Sequence, residues 1–317
     1  MKKLVSILVS LAILAVIYWR IDHVKLLAAF ANADPAWLIA SLAMVIPLTM
    51  FTSWRLQQLM PERGQLSFGE ANKLILLASV LNLVLPSKMG DIAKSYFMRD
   101  KGNLTGSLAL SLVVFEKACD MLSLLLWCVF GLLIYPHKDA LFWAMTVAVV
   151  GSLLMGILLL GSTTFANFFF KTSERFAPEK VAAKLGKLKE SWNQMHGYFW
   201  ASKRQLAKVV LTSVFIWFLH LLQIWMFILA LKAWVPFLSN LALSPLAILA
   251  GLLPLTFAGV GTRDAALVLF YAPFFPAPTA AALGVLCTGR YLLPAIGGLP
   301  FLSQYLRSAT EARRREA

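Results

Sequence analysis

The sequence predicts an all-α polytopic membrane protein, and three observations lead to this fold class. Apolar residues make up 60% of the chain, and charged residues make up only 14%. The apolar residues are gathered into long runs, and an apolar segment broken by Pro and Gly occurs once in each half of the chain. A water-soluble chain of this size has no core large enough to bury so much apolar surface. The helices are therefore predicted to lie in a lipid bilayer.

The long apolar runs predict the membrane spans, because the hydrocarbon core needs roughly 20 residues of helix per crossing. Six stretches meet or approach this length: about 4–20, 36–54, 105–134, 140–161, 208–231 and 279–306. The N-terminal run is similar to a signal peptide. It continues into Tyr18, Trp19 and Arg20 without a small-residue cleavage site, so we expect it to remain as the first span.

The broken segments are Leu83–Asp91 (LVLPSKMGD) and Leu252–Asp264 (LLPLTFAGVGTRD), and each precedes a long apolar helix with charge in its interior. Lipid tolerates irregular backbone only where protein or water covers it. Broken apolar segments at matching places in two halves are typical of a transporter binding site. The pair predicts two re-entrant hairpins. The residues predicted to end the half-helices and permit the chain reversals are Pro86, Gly90, Pro254, Gly259 and Gly261.

The placement of Lys and Arg favours re-entry over a full crossing at the first broken segment, since basic loops stay cytoplasmic. If 72–98 dips in and returns, the strongly basic stretch 162–208 faces the cytoplasm; a full crossing would turn it outward. The prediction is one transmembrane domain over 1–317, with inverted halves at about 1–135 and 140–306. These halves form a 3+3 bundle of about six spans with two opposed hairpins. Both termini are expected to be cytoplasmic, in a bacterial inner membrane.

A cytoplasmic amphipathic connector is predicted at about 164–205. Its apolar residues recur at helical spacing: Val181, Leu185, Leu188, Trp192, Met195 and Phe199. Lysines flank this face, which favours a helix lying in the anionic cytoplasmic leaflet. The alternative is a helical connector whose apolar face packs on the bundle.

Charged residues at membrane depth are the candidate functional residues. Glu116 and Asp120 are four positions apart, on one helical face, and Lys117 adjoins them. A lone charge at the bilayer centre costs about 3 kcal/mol on insertion scales, so each needs a partner or water. With Arg263, Asp264 and Arg290 the charges balance in sign, which makes one mutually neutralised cluster possible.

Two interpretations of these charges stay open. In the first, the charges serve only to hold helices together. In the second, they line a polar groove that receives a phosphate-bearing head group. In the second case Arg263, Arg290 and Lys88 would contact the phosphate, because cations, and above all the planar Arg fork, bind phosphate oxygens. Lys94 and Arg99 are attributed to the positive-inside pattern. The candidate substrate-binding residues are Lys88, Asp91, Glu116, Lys117, Asp120, Arg263, Asp264 and Arg290.

The chain resembles the lysylphosphatidylglycerol synthase transmembrane-region family, also called the flippase-like domain family. The resemblance is carried, over nearly the whole length, by Arg55, LVLPSKMGDIAKSYF, FEKACD, LLPLTFAGVGTRDAA and Arg290. Lys117 stands where the family typically has Arg, and Arg263-Asp264 where it often has Gly-Glu. The resemblance implies movement of a lipid or lipid-linked head group between leaflets. Members that make aminoacyl lipids carry a further soluble aminoacyl-transfer domain, and this chain resembles the transport part alone.

The leading hypothesis is therefore a flippase or scramblase that moves an anionic phospholipid or a polyprenyl-phosphate-linked head group through a groove between the hairpins. An ion- or proton-coupled carrier of a small soluble anion is the alternative, because inverted repeats with re-entrant segments suit it equally. A membrane-embedded enzyme, with Glu116 and Asp120 as an acid/base or metal pair, is less favoured, since no nucleophile–base arrangement is visible in the sequence. We expect membrane lipids as partners, and no catalytic residues, metal, cofactor or nucleic acid.

Overall fold

The structure, a computed structural model, describes residues 13, 15, 19, 21–61, 66–84, 89–135, 138–252 and 261–303. Within these residues the regular secondary structure is entirely α-helical. In chain order the helices are α1 (His23–Ala31), α2 (Pro35–Ala43), α3 (Val45–Leu59), α4 (Phe68–Val84), α5 (Met89–Gly102), α6 (Gly106–Ile134), α7 (Ala140–Gly161), α8 (Thr163–Phe176), α9 (Glu179–Trp200), α10 (Lys203–Ala230), α11 (Phe237–Leu252), α12 (Thr262–Tyr271), α13 (Ala277–Gly289) and α14 (292–303). The predicted all-α class is confirmed for this part of the chain.

Among the described residues, five helical stretches are long and apolar enough to cross a membrane: Pro35–Leu59, Gly106–Ile134, Ala140–Gly161, Lys203–Ala230 and Ala277–Ser303. They overlap five of the six predicted spans. The predicted span at about 4–20 lies mostly outside the described residues, as does the end of the last predicted span. The length and composition of these helices are those of a multi-pass membrane protein.

A break at Met44 divides the first of these stretches into α2 and α3, and Pro47 accounts for it. Proline has no N–H to donate to the carbonyl four residues earlier, here that of Ala43, and its ring crowds that carbonyl. At the other end of α2, the Asp34 carboxylate caps the helix by accepting a hydrogen bond from the Ala36 N–H at 2.9 Å. Local sequence thus explains both ends of α2.

The described residues fall into two compact units, each drawn from separate parts of the chain. The first unit takes its described residues from Met1–Leu48, Leu124–Val150 and Ile216–Leu293, and the second from Thr49–Ser123, Gly151–Phe215 and Pro294–Ala317. In the first unit α11 packs against α12, and α12 packs against α13. In the second unit α4 packs against α5, and α8 packs against α9.

The predicted connector folds as α8 and α9, and its apolar face packs in the core of the second unit. Trp192, Met195 and Phe199 are buried there. The Phe199 ring stacks on Phe115 with centroids 3.9 Å apart, and the Trp192 Nε1–H donates to the Leu159 carbonyl at 3.0 Å. For these three residues the membrane-surface interpretation is wrong, because their face covers protein rather than lipid. The alternative of a connector packed on the bundle holds at this end of α9.

The first broken segment lies between α4 and α5, which approach so closely that only glycine fits at one position. A Cβ at Gly90 would lie 2.5 Å from the Ala78 carbonyl oxygen and 2.7 Å from the Asn82 backbone nitrogen. The chain between these helices, with Pro86 and Lys88, lies outside the described residues. The re-entrant course of the helix pair stays a prediction.

The second broken segment lies between α11 and α12, and its Pro254 and Gly259 also lie outside the described residues. Gly261, the residue before α12, has φ 103°, in the left-handed region that favours glycine. A buried hydrogen bond from the Tyr271 hydroxyl to the Asn240 Oδ1, at 2.9 Å, joins α12 to α11. The second re-entrant hairpin and the inverted repeat stay predictions.

We expect Gly90→Ala to lower the free energy of unfolding by about 1–3 kcal/mol, since the added methyl group would force the packed backbones of α4 and α5 apart. The measurement is unfolding of the purified protein in detergent. Gly69→Ala, also in a helix, is the control, because a Cβ at Gly69 has no neighbour within 4 Å. Equal stability of the two variants would contradict the close approach at Gly90.

Candidate functional site

A buried network of charged side chains joins four helices of the second unit. The Arg55 guanidinium on α3 donates to the Glu116 Oε1 at 2.9 Å, to the Ser213 Oγ on α10 at 3.0 Å, and to the Asp120 carboxylate. The Lys94 ammonium on α5 donates to the other oxygen of Glu116. The side chains of Arg55, Lys94 and Glu116 are at most 2% exposed. The centre of this network therefore lies out of contact with bulk water.

The network extends toward a more exposed edge at Lys117. The Lys117 ammonium lies 3.2 Å from the Asp91 carboxylate at the start of α5 and 3.5 Å from that of Asp120. The Lys117 side chain is 44% exposed, against 14% for Asp91 and 22% for Asp120. The edge of the network is accordingly partly open, whereas its centre at Glu116 is closed.

Charge is balanced across this network, which has three cations and three carboxylates. We call it the neutral network; its members are Arg55, Asp91, Lys94, Glu116, Lys117 and Asp120. Removing charges from water is costly, and close hydrogen-bonded partners offset most of that cost. Each cation of the neutral network already has a carboxylate partner. The main effect of the network is therefore to hold α3, α5 and α6 together.

In the first unit, Arg263 and Asp264 form a compact pair at the start of α12. The Arg263 Nη2 donates to the Asp264 Oδ1 at 3.0 Å, to the Thr288 Oγ1 at 2.6 Å and to the Gly284 carbonyl at 3.2 Å. The second oxygen of Asp264 accepts from the Gly261 N–H at 2.9 Å. Asp264 thus caps α12 and holds Arg263, and Arg263 in turn ties α12 to α13.

Arg290, just after α13, is a buried cation held only by neutral groups among the described residues. Its side chain donates to the Gln223 Oε1 at 3.1 Å and to the Tyr291 hydroxyl at 3.2 Å. The Gln223 amide is fixed by donating to the Ser41 carbonyl at 2.9 Å. Arg290 is 7% exposed, its Nε has no hydrogen-bond partner, and no described carboxylate lies within ion-pair distance.

The buried charged groups of the two units therefore differ in net charge. The neutral network has no charge left to balance, whereas Arg263, Asp264 and Arg290 together carry one net positive charge. Residues 253–260, the undescribed stretch before Gly261, contain no Asp or Glu. A bound anion would balance the positive charge of the buried Arg290 guanidinium. Within the described residues, no group of three or more His, Cys, Asp or Glu could hold a metal ion.

The predicted site residues separate into two sets. Asp91, Glu116, Lys117 and Asp120 come together in the second unit, whereas Arg263, Asp264 and Arg290 belong to the first unit. The single neutralised cluster that the charge balance made possible stays a prediction. Glu116 and Asp120 are paired with Arg55, Lys94 and Lys117 within their own unit, and Asp264 is paired with its neighbour Arg263. Lys88 lies outside the described residues.

Sequence reasoning missed two members of the neutral network. Lys94 was assigned to the positive-inside pattern, yet it is 1% exposed and bonded to Glu116. Arg55 is named in the sequence analysis only among the residues that carry the family resemblance, and not as a site residue. The signal available was the charge deficit on α6, where Glu116 and Asp120 exceed Lys117 by one negative charge. Arg99 is partly exposed, and its Nε–H donates to the Asp100 carboxylate at 3.0 Å. Its assignment to the positive-inside pattern stays a prediction.

The chain is similar to known membrane proteins over almost all of its length. The sequence model described as the lysylphosphatidylglycerol synthase TM region matches residues 3–298. A UPF0104 membrane protein of Methanocaldococcus jannaschii is 25% identical over 315 residues, which cover 93% of this chain and 91% of that protein. Both matches include the segments that form the neutral network and the Arg263, Asp264 and Arg290 group.

We expect Glu116→Gln to destabilise the protein by about 3–5 kcal/mol, because Lys94 would be left as a buried cation without a carboxylate. Thermal unfolding in detergent measures the change. Asp100→Asn makes the same chemical change at an exposed ion pair with Arg99, which is worth about 0–1 kcal/mol. If both variants unfolded like the wild type, the neutral network would not stabilise the second unit.

Proposed function

We propose that this chain, which belongs to the lysylphosphatidylglycerol synthase TM region family, moves an anionic phospholipid or lipid-linked head group between membrane leaflets. The family membership and the membrane-spanning helices support a role within the bilayer. A phosphate-bearing head group cannot cross hydrocarbon unaided, because the transfer of an unpaired charge from water is prohibitive. Such a protein must supply polar partners along the route.

The burial of Arg290 without a described carboxylate partner is the observation that supports the proposal most directly. A buried Arg without a described carboxylate partner is costly to keep, by about 3 kcal/mol at the bilayer centre on insertion scales. A passing phosphate would supply the missing negative charge and accept hydrogen bonds from the guanidinium fork. The fixed amide of Gln223 holds that fork in place before the substrate arrives. We therefore assign Arg290 as the principal phosphate ligand.

Arg263 takes a secondary role in this proposal. Its Nη2 is occupied by Asp264, Thr288 and Gly284, but its Nε has no hydrogen-bond partner. Asp264 balances its charge, so Arg263 binds a phosphate less strongly than Arg290. Lys88 is retained as a third phosphate contact on its position in the first broken segment.

The neutral network serves as support and as a polar surface in the same proposal. Its partly exposed edge, formed by Lys117, Asp91 and Asp120, presents charges of both signs to a head group. Glu116 is bonded to both Arg55 and Lys94, which suits a structural carboxylate and not a general base. For this reason we propose transport and not catalysis.

The remaining parts of the proposal concern membrane location. We propose the bacterial inner membrane with both termini cytoplasmic, since basic residues concentrate in the loops that this orientation places inside. The two broken segments are proposed to enter the bilayer as re-entrant hairpins, each flanked by a pair of packed helices.

Leaflet exchange of fluorescent phosphatidylglycerol in proteoliposomes tests the proposal. We expect the wild type to exchange the lipid, and Arg290→Gln to slow exchange at least roughly tenfold, the loss of about 1.4 kcal/mol of phosphate interaction. The control is Arg175→Gln on α8, which makes the same change at an exposed arginine. Arg290→Gln should unfold within about 1 kcal/mol of the wild type, because it removes a buried cation without orphaning a carboxylate.

Exchange that continued unchanged in Arg290→Gln would overturn the assignment of Arg290. Lack of exchange by the wild type, with phosphatidylglycerol and with a polyprenyl phosphate, would count against lipid movement. In that case uptake of inorganic phosphate by the same proteoliposomes examines the alternative of a small-anion carrier, to which a buried Arg290 is equally suited.

A further inference from the structure

A pocket in the second unit lies apart from the charged residues discussed so far. Its volume is about 380 Å³, within the range of about 300–1,000 Å³ that is usual for small-molecule sites. The walls come from the end of α3, the residue Leu66, the end of α9 and the first turns of α10. The lining residues are Gln57, Gln58, Met60, Leu66, Tyr198, Ser202, Arg204, Gln205 and Lys208.

Hydrogen bonds hold the walls of this pocket in position. The Gln205 side-chain amide donates to the Gln58 carbonyl at 2.7 Å and to the Tyr198 hydroxyl at 3.0 Å, joining α10 to α3 and α9. The Gln57 amide donates to the Leu66 carbonyl at 2.9 Å. These hydrogen bonds between polar side chains and backbone hold α3, α9 and α10 together around the pocket.

The charge of the pocket is positive. Arg204 and Lys208 are four positions apart and so lie on one face of α10. No carboxylate is among the described lining residues, and neither cation is within ion-pair distance of a described Asp or Glu. This differs from the neutral network of the same unit, where every cation has a carboxylate. Arg204 and Lys208 are exposed and have no carboxylate partner among the described residues, so both can donate to a bound anion.

We propose that this pocket binds a phosphate group through Arg204 and Lys208. A phosphate ester fits the volume, and its oxygens accept charge-assisted hydrogen bonds from both cations. The Ser202 hydroxyl, which accepts a bond from the Gln205 N–H at 3.4 Å, is a further donor within the pocket. The phosphate belongs either to a lipid head group or to a soluble phosphate ester. The proposal does not depend on lipid translocation.

Isothermal titration of the full chain in a neutral detergent tests this pocket, with glycerol 3-phosphate as the soluble probe and dihexanoyl phosphatidylglycerol as the lipid probe. We expect at least one probe to bind, and Arg204→Gln or Lys208→Gln to weaken it about tenfold. The matched control is Lys203→Gln, which removes the same charge from the same end of α10 at an exposed residue that does not line the pocket. It should bind as the wild type does.

The outcomes separate the sources of the phosphate. Binding of glycerol 3-phosphate alone identifies a soluble ester, and binding of the lipid alone identifies a head group. Equal weakening by all three substitutions would indicate a diffuse basic surface and overturn the proposal, as would no binding of either probe. The titrations are repeated with Arg290→Gln protein, because Arg290 does not line this pocket. Unchanged affinity in that variant shows that the probe binds elsewhere than at Arg290, and loss of binding would overturn the proposal. Failure of leaflet exchange would leave these results unaffected.

Discussion

The contact between Arg55 and Glu116 is the interaction on which the second unit depends. Arg55 binds Glu116 and Asp120 on α6 and Ser213 on α10, so one side chain on α3 connects three helices. Lys94 adds α5 by binding the other oxygen of Glu116. Apolar packing between helices gives little directional preference inside a bilayer, because lipid tails are as apolar as the side chains. A buried charged network favours one arrangement, since any other separates charges that have no access to water.

Buried charges occur in two different settings in this chain. In the neutral network each cation is matched by a carboxylate, which makes the network suited to holding helices. Around Arg290 the partners are an amide and a phenol, which orient the guanidinium without cancelling its charge. The proposed role of Arg290 as a ligand-binding cation rests on this difference in charge balance, because a buried cation by itself is equally compatible with a structural role.

Backbone geometry sets the remaining constraint. Irregular backbone in a membrane has to be covered by protein or water, because lipid offers no hydrogen-bond partners. Close helix pairs flank both broken segments, and a glycine stands at the start of each second helix. At Gly90 a side chain would collide with α4, whereas Gly261 has a positive φ and its N–H is bonded to Asp264. Similar sequence breaks thus use glycine for two different physical reasons.

The sequence by itself determined the membrane class, five helices long and apolar enough to span a membrane, and the family resemblance, which the match over residues 3–298 confirms. Those properties follow from hydrophobic runs and motifs that are local in the chain. Only the tertiary structure decided the partners of the buried charges. Arg55 and Glu116 are 61 positions apart, and Lys94 and Glu116 are 22 apart. No local pattern separates Lys94, buried against Glu116, from the partly exposed Arg99 in the same helix, because burial is set by which helices pack together.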